Sequence, residues 1–474
     1  MTVDAQRYKP VQITYVNQLP SFGQTNAQGL TGMVQGLVTT DTSIHWANPL
    51  MDTGPMNCFP LPLTGPCVTP YGGPVPASVH LHGGETFSNY DGGHEQWFTP
   101  NGLFGKDYKT QGAQIAGQAV YYYDNFQEPG TLWFHDHALG ATRTNVFSGL
   151  EAFYFIRSPG HEPKNLPKGP YEIELAVQDR QFDITGQLYF PDGSGDPNSN
   201  LNGTPPNPNL HAFWIPEFIG DVVVVNGAPW PYLQVEPRRY RFRLLDGSNA
   251  RMYDLHFGNA PIYVIGKDGN YLQDPVPVSH IFFAPGQRYD VIVDFTGLQG
   301  QNITVTNTAN CTYPVGLTPG SPGQEGIGEV MQFQVTRPLR GTDNSCNPAL
   351  GGCGRPNGHD LIMLTDGMGN LKPTVKVDKL RQLILKEAEG FIGTTQTGPE
   401  EVLVNNTKWD GLMSPGIAPQ FPTDGVSELP EVGATEVWEI INLTMDAHVR
   451  MSDLGVRRLA LAFMFAMAVV GLLA

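Results

Sequence analysis

Four of the chain's twelve histidines fall into two H-x-H pairs, His80/His82 in VHLHGGE and His135/His137 in WFHDHALG. On a β-strand, residues i and i+2 point to the same face, about 7 Å apart. Two such strands side by side would converge four imidazoles, a donor set that suits copper, zinc, iron or nickel. One H-x-H means little, because incidental histidines on a surface strand give the same pattern. Two of them in strand-like contexts within residues 80–137 point to a metal. His45, His94, His161, His211, His256, His280 and His359 stand alone and read as solvated or hydrogen-bonded residues.

The surrounding sequence has to supply the strands, and it does. Segments rich in β-branched and aromatic residues recur between Gly, Pro, Asn and Asp: VQITYVNQL (11–19), AVYYYDNF (119–126), TLWFHDH (131–137), LEAFYFIR (150–157), DVVVVNG (221–227), YRFRLLD (240–246), YDVIVDF (289–295), QNITVTN (301–307) and TEVWEIIN (435–442). Several alternate polar with apolar residues, as half-buried strands do. No strong amphipathic helix stands out. Many short strands with turn signals between them predict an all-β fold of sandwiches or barrels. Two polar, Pro-containing breaks, 157–170 and 337–360, divide the chain into units 1–160, 161–340 and 341–450, followed by a segment 451–474 of different character. Residues 191–209 read as a low-complexity surface loop.

Composition narrows the partners. With 55 Gly and 41 Pro in 474 residues, turns and short strands are favoured over long helices. A net charge of -17 argues against nucleic acid, whose binding relies on Lys and Arg neutralising phosphate. None of the five cysteines sits in a C-x-x-C pair. Cys58/Cys67 and Cys346/Cys353 lie close enough in sequence to form local disulfides, and unpaired loop or core cysteines explain the spacing equally well. The odd count leaves at least one thiol outside any disulfide.

The segments HLHGG and WFHDHALGATRTNVFSGLEAFYFI resemble the first two copper-binding segments of multicopper oxidases, in the branch of spore-coat laccase, bilirubin oxidase and phenoxazinone synthase. VNGAPWPYLQVEPRRYRFRLLDGSNARMYDL (225–255), APGQRYDVIVDF (284–295), EVMQFQVTRPL (329–339) and TEVWEIINLTMDAH (435–448) extend the similarity in family order. The resemblance implies three cupredoxin-like Greek-key β-barrel domains. It implies oxidation of a small-molecule reducing substrate (phenols, aromatic amines, bilirubin-like compounds or metal ions) with O2 as acceptor. It assigns His80 to a type 2 copper and His82, His135 and His137 to a type 3 pair. His448 falls at a type 1 ligand position. Asp91, in NYDGG, matches a carboxylate that relays protons; its bland alternative is an Asp in an Asp-Gly turn. A copper nitrite reductase fits less well, because no Cys with His neighbours lies near the H-x-H segments.

The sequence also departs from the family. The family's third and fourth segments, H-P-x-H-x-H and H-C-H-x-x-x-H, do not occur, so five of the family's ten ligand histidines are present and the type 1 thiolate is not. The first domain is expected to lack its N-terminal strands, since family-like sequence begins near residue 11, and the third to be truncated. The expected alternative to an oxidase is therefore a non-enzymatic copper-binding cupredoxin fragment. After His448 comes VRMSDLGVRRLALAFMFAMAVVGLLA. Its apolar run, helical, would span about 24 Å, short of the roughly 30 Å hydrocarbon core. A frameshift or fusion, a weak membrane anchor through 457–474, or a packed segment would each account for it. The N-terminus MTVDAQRYKP shows no secretory signal, and localisation stays open.

Overall fold

A computed structural model describes residues 2–19, 47, 73–182, 184, 186, 188–189, 218–360, 364, 366, 370–392, 395–406, 428, 430–431 and 433–444. For the strand residues 387–402 only the backbone is considered. Cys58, Cys67, His45, His211, His448 and the 451–474 segment lie outside the described residues.

The described chain is nearly all β, as its alternation predicts. The first group of strands is β1 (Thr2–Gln6), β2 (Val11–Val16), β3 (Val79–His82), β4 (Gln118–Tyr123), β5 (Gly130–Asp136) and β6 (Glu151–Arg157), with one short helix α1 (Thr142–Phe147) between the last two. They form a four-stranded sheet in the order β1-β6-β5-β3 and a ribbon β2-β4. Leu81, Phe98, Tyr121, Tyr123, Leu132 and Tyr154 fill the space between. Across the chain, the predicted segments coincide with observed strands to within about three residues at either end. The strand at Thr2–Gln6 is additional. It pairs in parallel with β6, Thr2 opposite Phe153 and Gln6 opposite Arg157, so the domain's pairing begins ahead of residue 11. TVDAQ has no apolar run to announce it.

The second group runs β7 (Glu172–Arg180), β8 (Val222–Val225), β9 (Ala228–Pro229), β10 (Tyr232–Gln234), β11 (Arg239–Asp246), β12 (Tyr253–His256), β13 (Ile262–Lys267), β14 (Asn270–Val278), β15 (Ile281–Phe283), β16 (Arg288–Asp294), β17 (Asn302–Asn307) and β18 (Glu329–Gln334). A seven-stranded sheet β14-β13-β16-β11-β7-β8-β9 faces a five-stranded sheet β10-β18-β17-β12-β15. Their facing side chains, Phe242, Leu244, Leu255, Phe283, Val291 and Phe333 among them, make the largest continuous core. A third sheet, β20-β19-β21, joins β19 (Lys379–Ile392), β20 (Thr395–Val404) and β21 (Glu436–Asn442).

Cys346 and Cys353 form a disulfide that packs on Ile265, Tyr271 and Ile292 of the second group; Cys311 is outside any disulfide. The second group also braces β5 from behind. Arg243 Nη1 donates to Thr131 Oγ1 (2.6 Å), Arg288 Nε donates to the Thr131 carbonyl (3.3 Å), and Leu245 packs with Trp133, Phe153 and Phe155. Gly130 sits so close to the Gly269 carbonyl that a Cβ there would lie 2.1 Å from it. No helix among the described residues is long and apolar enough to cross a membrane.

Candidate metal centre

β3 and β5 pair antiparallel with His80 opposite His135 and His82 opposite Trp133. Because i and i+2 share a face, this register brings both H-x-H pairs to one side of the sheet. The His80 ring centroid lies 5.8 Å from His82, 5.5 Å from His135 and 5.2 Å from His137; His82 and His135 are 5.3 Å apart, His135 and His137 5.6 Å. The sequence expectation of four convergent imidazoles describes this geometry. Among the described residues, His80, His82 and His135 bring their nitrogens within 4.8 Å of one another.

Backbone carbonyls set the ring orientations. His80 Nδ1–H donates to the Asp91 carbonyl (2.6 Å) and His135 Nδ1–H to the Asp136 carbonyl (2.7 Å). Each bond fixes a tautomer with the lone pair on Nε2, the arrangement usual for a metal-ligating histidine. His82 presents Nδ1 to His135 Nε2 at 3.2 Å, a separation at which one ion could stand between them. His137 Nδ1 is buried without a hydrogen-bond partner, a costly state for a polar atom. A metal ion would relieve it.

Electrostatics keep His82, His135 and His137 ready to bind. Burial, with the Arg288 guanidinium and the neighbouring imidazoles adding to it, holds His82 well below the ordinary histidine range; burial and the other rings do the same for His135. His137 is pushed down to about 3 by burial, then by His80 and His94. Neutral imidazole is the ligating form. The stacked Trp133, 4.4 Å from His135 and 5.0 Å from His82, walls one side. This donor set fits copper, whose ions favour imidazole nitrogen.

Asp91 follows a single helical turn, Ser88–Tyr90, and lies beside His80. Its carboxylate Oδ1 lies 3.4 Å from His80 Nδ1 and accepts from Thr86 Oγ1 at 2.7 Å. Burial alone would raise its pKa, but His80, Thr86 and His137 outweigh it and keep the group below the ordinary Asp range. Gly92 allows this placement. It has φ +69°, and a Cβ there would lie 1.8 Å from the Val79 carbonyl oxygen, so the Asp91 loop lies directly on β3. The turn reading and the site reading of NYDGG are thus compatible.

Sequence reasoning missed Asp136. As the middle residue of H-D-H it points away from the histidine face. There it accepts from the Ser78 N–H (2.8 Å) and the Ala138 N–H (3.1 Å), clamping the backbone on both sides of His137. Burial pushes its pKa up to about 7 against the pull of those amides. Its position inside the motif was the available signal. Arg288, contributed by the second group of strands 151 residues beyond His137, gave none.

Comparisons with known proteins establish the family and the fold. The sequence profile of the multicopper oxidase family matches residues 191–314. The chain is similar to the laccase of Bacillus subtilis (strain 168), 34% identical over 375 residues, covering 79% of this chain and 62% of that protein. It is 33% identical over 420 residues to the multicopper oxidase LPR1 homolog 3 of Oryza sativa subsp. japonica, covering 85% of this chain and 69% of that protein. Its fold resembles the McoA multicopper oxidase of Aquifex aeolicus, with a TM-score of 0.55 at 21% identity over 94% of this chain and 72% of that one. The chain spans 62–63% of the length of the first curated relatives it matches. The fold is therefore cupredoxin-like, and the chain belongs to the multicopper oxidase family, with copper as the implied metal.

Proposed function

We propose that the face formed by β3 and β5 is one half of an O2-reducing copper centre of a laccase-like oxidase. The carrying observation is the convergence of four imidazoles on one sheet face, three of which, His82, His135 and His137, burial holds in the neutral form. In this reading His80 holds a type 2 ion, His82, His135 and His137 hold part of a type 3 pair, and His448 contributes to a type 1 site. Copper supplies reversible one-electron chemistry. Reduction of O2 to water also consumes four protons, and the Asp91 carboxylate, fixed by Thr86 beside His80, takes and gives protons at Oδ1. The reducing partner is a small molecule of the phenol, aromatic amine, bilirubin-like or metal-ion classes. The three sheet groups correspond to three cupredoxin domains with boundaries near residues 160 and 340.

The 474 residues contain no cysteine flanked by histidines. This favours a second element of the reading: these residues hold copper but do not by themselves turn over O2. Copper loading of the full chain followed by O2-uptake measurements with a methoxyphenol tests both parts. Retained copper without O2 uptake is expected. O2 uptake that His135→Ala abolishes would overturn the second element, and failure to retain copper would overturn the first.

A further inference from the structure

A second cluster of donor atoms lies in the other large sheet. β12 alternates strictly, Tyr253 and Leu255 into the core, Asp254 and His256 outward. β12 pairs with β15 so that Leu255 faces Ile281, which sets His280, the residue ahead of β15, across from His256. On its other side β12 pairs with β17, Leu255 facing Asn307, which sets Thr308 beside Asp254. Three adjacent strands thus present Asp254, His256, His280 and Thr308 on one solvent-facing patch. His280 Nδ1 bonds Asp254 Oδ1. His256 Nε2 lies 3.4 Å from Asp254 Oδ2 and 3.0 Å from Thr308 Oγ1, and Thr308 Oγ1 donates to Asp254 Oδ2 at 2.7 Å. One nitrogen from each histidine and a carboxylate oxygen lie within 4.8 Å of one another.

We propose that Asp254, His256 and His280 form a binding site for one divalent transition-metal ion of the zinc and copper class, separate from the four-histidine face. Two imidazole nitrogens and one carboxylate oxygen are the donor set such ions prefer, with water completing the shell, whereas calcium and magnesium require mostly oxygen. Metal–ligand bonds of about 2.0–2.2 Å place the ligand atoms of a tetrahedral site roughly 3.4 Å apart, so the ligand atoms, now within 4.8 Å of one another, draw closer by side-chain rotation. The His256 and His280 rings stand parallel, 5.2 Å apart at 8°. Seating an ion turns one of them out of the stack, and side-chain exposures of 38% and 47% leave room for that. The ion takes the place of the proton that His280 Nδ1 shares with Asp254, and the ring carries its proton on Nε2 instead. Thr308 acts as a positioning residue, holding the carboxylate in place through a bond anchored on the sheet.

The test is equilibrium dialysis of the full chain against Zn2+, compared with His280→Ala, His256→Ala, and a His135→Ala/His137→Ala double variant. One Zn2+ equivalent is expected to disappear, with at least a tenfold weaker affinity, in each of the first two variants and to persist in the third. Zn2+ stoichiometry unchanged by His280→Ala, or lost in the His135/His137 variant alone, overturns the proposal. A readout on the unsubstituted protein needs no variant to fold: Zn2+ should shield His256 and His280 from diethyl pyrocarbonate, as read by mass spectrometry. Unchanged modification of both rings at saturating Zn2+ overturns it equally.

Discussion

Gly92→Ala is expected to loosen the metal centre without replacing any histidine. The new Cβ would meet the Val79 carbonyl oxygen at 1.8 Å, where real contacts do not fall below 3.0 Å, so loop and strand must separate by about 1.2 Å. The His80 Nδ1–Asp91 carbonyl bond, now 2.6 Å, would then stretch to about 3.8 Å, beyond hydrogen-bonding range. Left-handed backbone at an alanine costs roughly 1–2 kcal/mol, and forcing the loop off β3 about 1–3 kcal/mol more. Losing the group that orients a ligating histidine typically weakens metal binding by about 10–100-fold. Gly227→Ala is the control: its φ is +79°, and an added Cβ meets nothing within 4 Å. It is expected to cost only the backbone term and leave copper affinity unchanged. Copper titration and thermal unfolding of both variants check this. Equal copper affinity and equal stability in the two would refute the claim that the Asp91 loop holds His80.

Three further outcomes are expected. Asp136→Asn sets an amide NH2 against a backbone N–H and removes one of two clamps; it should cost roughly 1–3 kcal/mol in denaturant unfolding and lower copper occupancy. For Glu172, burial alone would raise the pKa, but the Arg241, Arg243 and Arg157 guanidiniums outweigh it and hold it down to about 2, from an ordinary 4.5. A depressed carboxylate contributes stability above its unfolded pKa and loses it as pH falls through the folded one, so roughly 3 kcal/mol should fade between pH 4.5 and 2. Unfolding of Glu172→Gln against the parent should show a gap at pH 7 that closes across that window. Cys346→Ser with Cys353→Ser opens a loop of sequence separation 7, worth about 2–3 kcal/mol by chain entropy; differential scanning calorimetry with and without reductant reads it.

How much of this was legible depended on how local each signal was. The strands carrying VHLH and TLWFHDH were readable because alternation is a period-two property of short stretches, and both H-x-H pairs announced a shared face. The pairing of β3 with β5 was an assumption that the register of His80 with His135 bears out. Thr2–Gln6 was illegible, since its strand exists through parallel pairing to β6 some 150 residues away rather than through its own composition. Asp136 was hidden by its neighbours' chemistry, and Arg288 by sequence distance. His256 and His280 read as isolated because 24 residues separate them, and only the β12–β15 register sets them ring to ring. The disulfide Cys346–Cys353 was one of two open readings, and the structure selects it.

The central claim is that the four histidines of β3 and β5 bind copper. The direct measurement is the copper content and electron paramagnetic resonance spectrum of the full chain, taken in an Asp254→Asn/His280→Ala background so that the second cluster does not contribute, with and without His135→Ala/His137→Ala. The account predicts tightly held copper with nitrogen hyperfine structure that disappears when His135 and His137 are replaced. Copper retained unchanged without those two imidazoles, or none retained with all four in place, would contradict it.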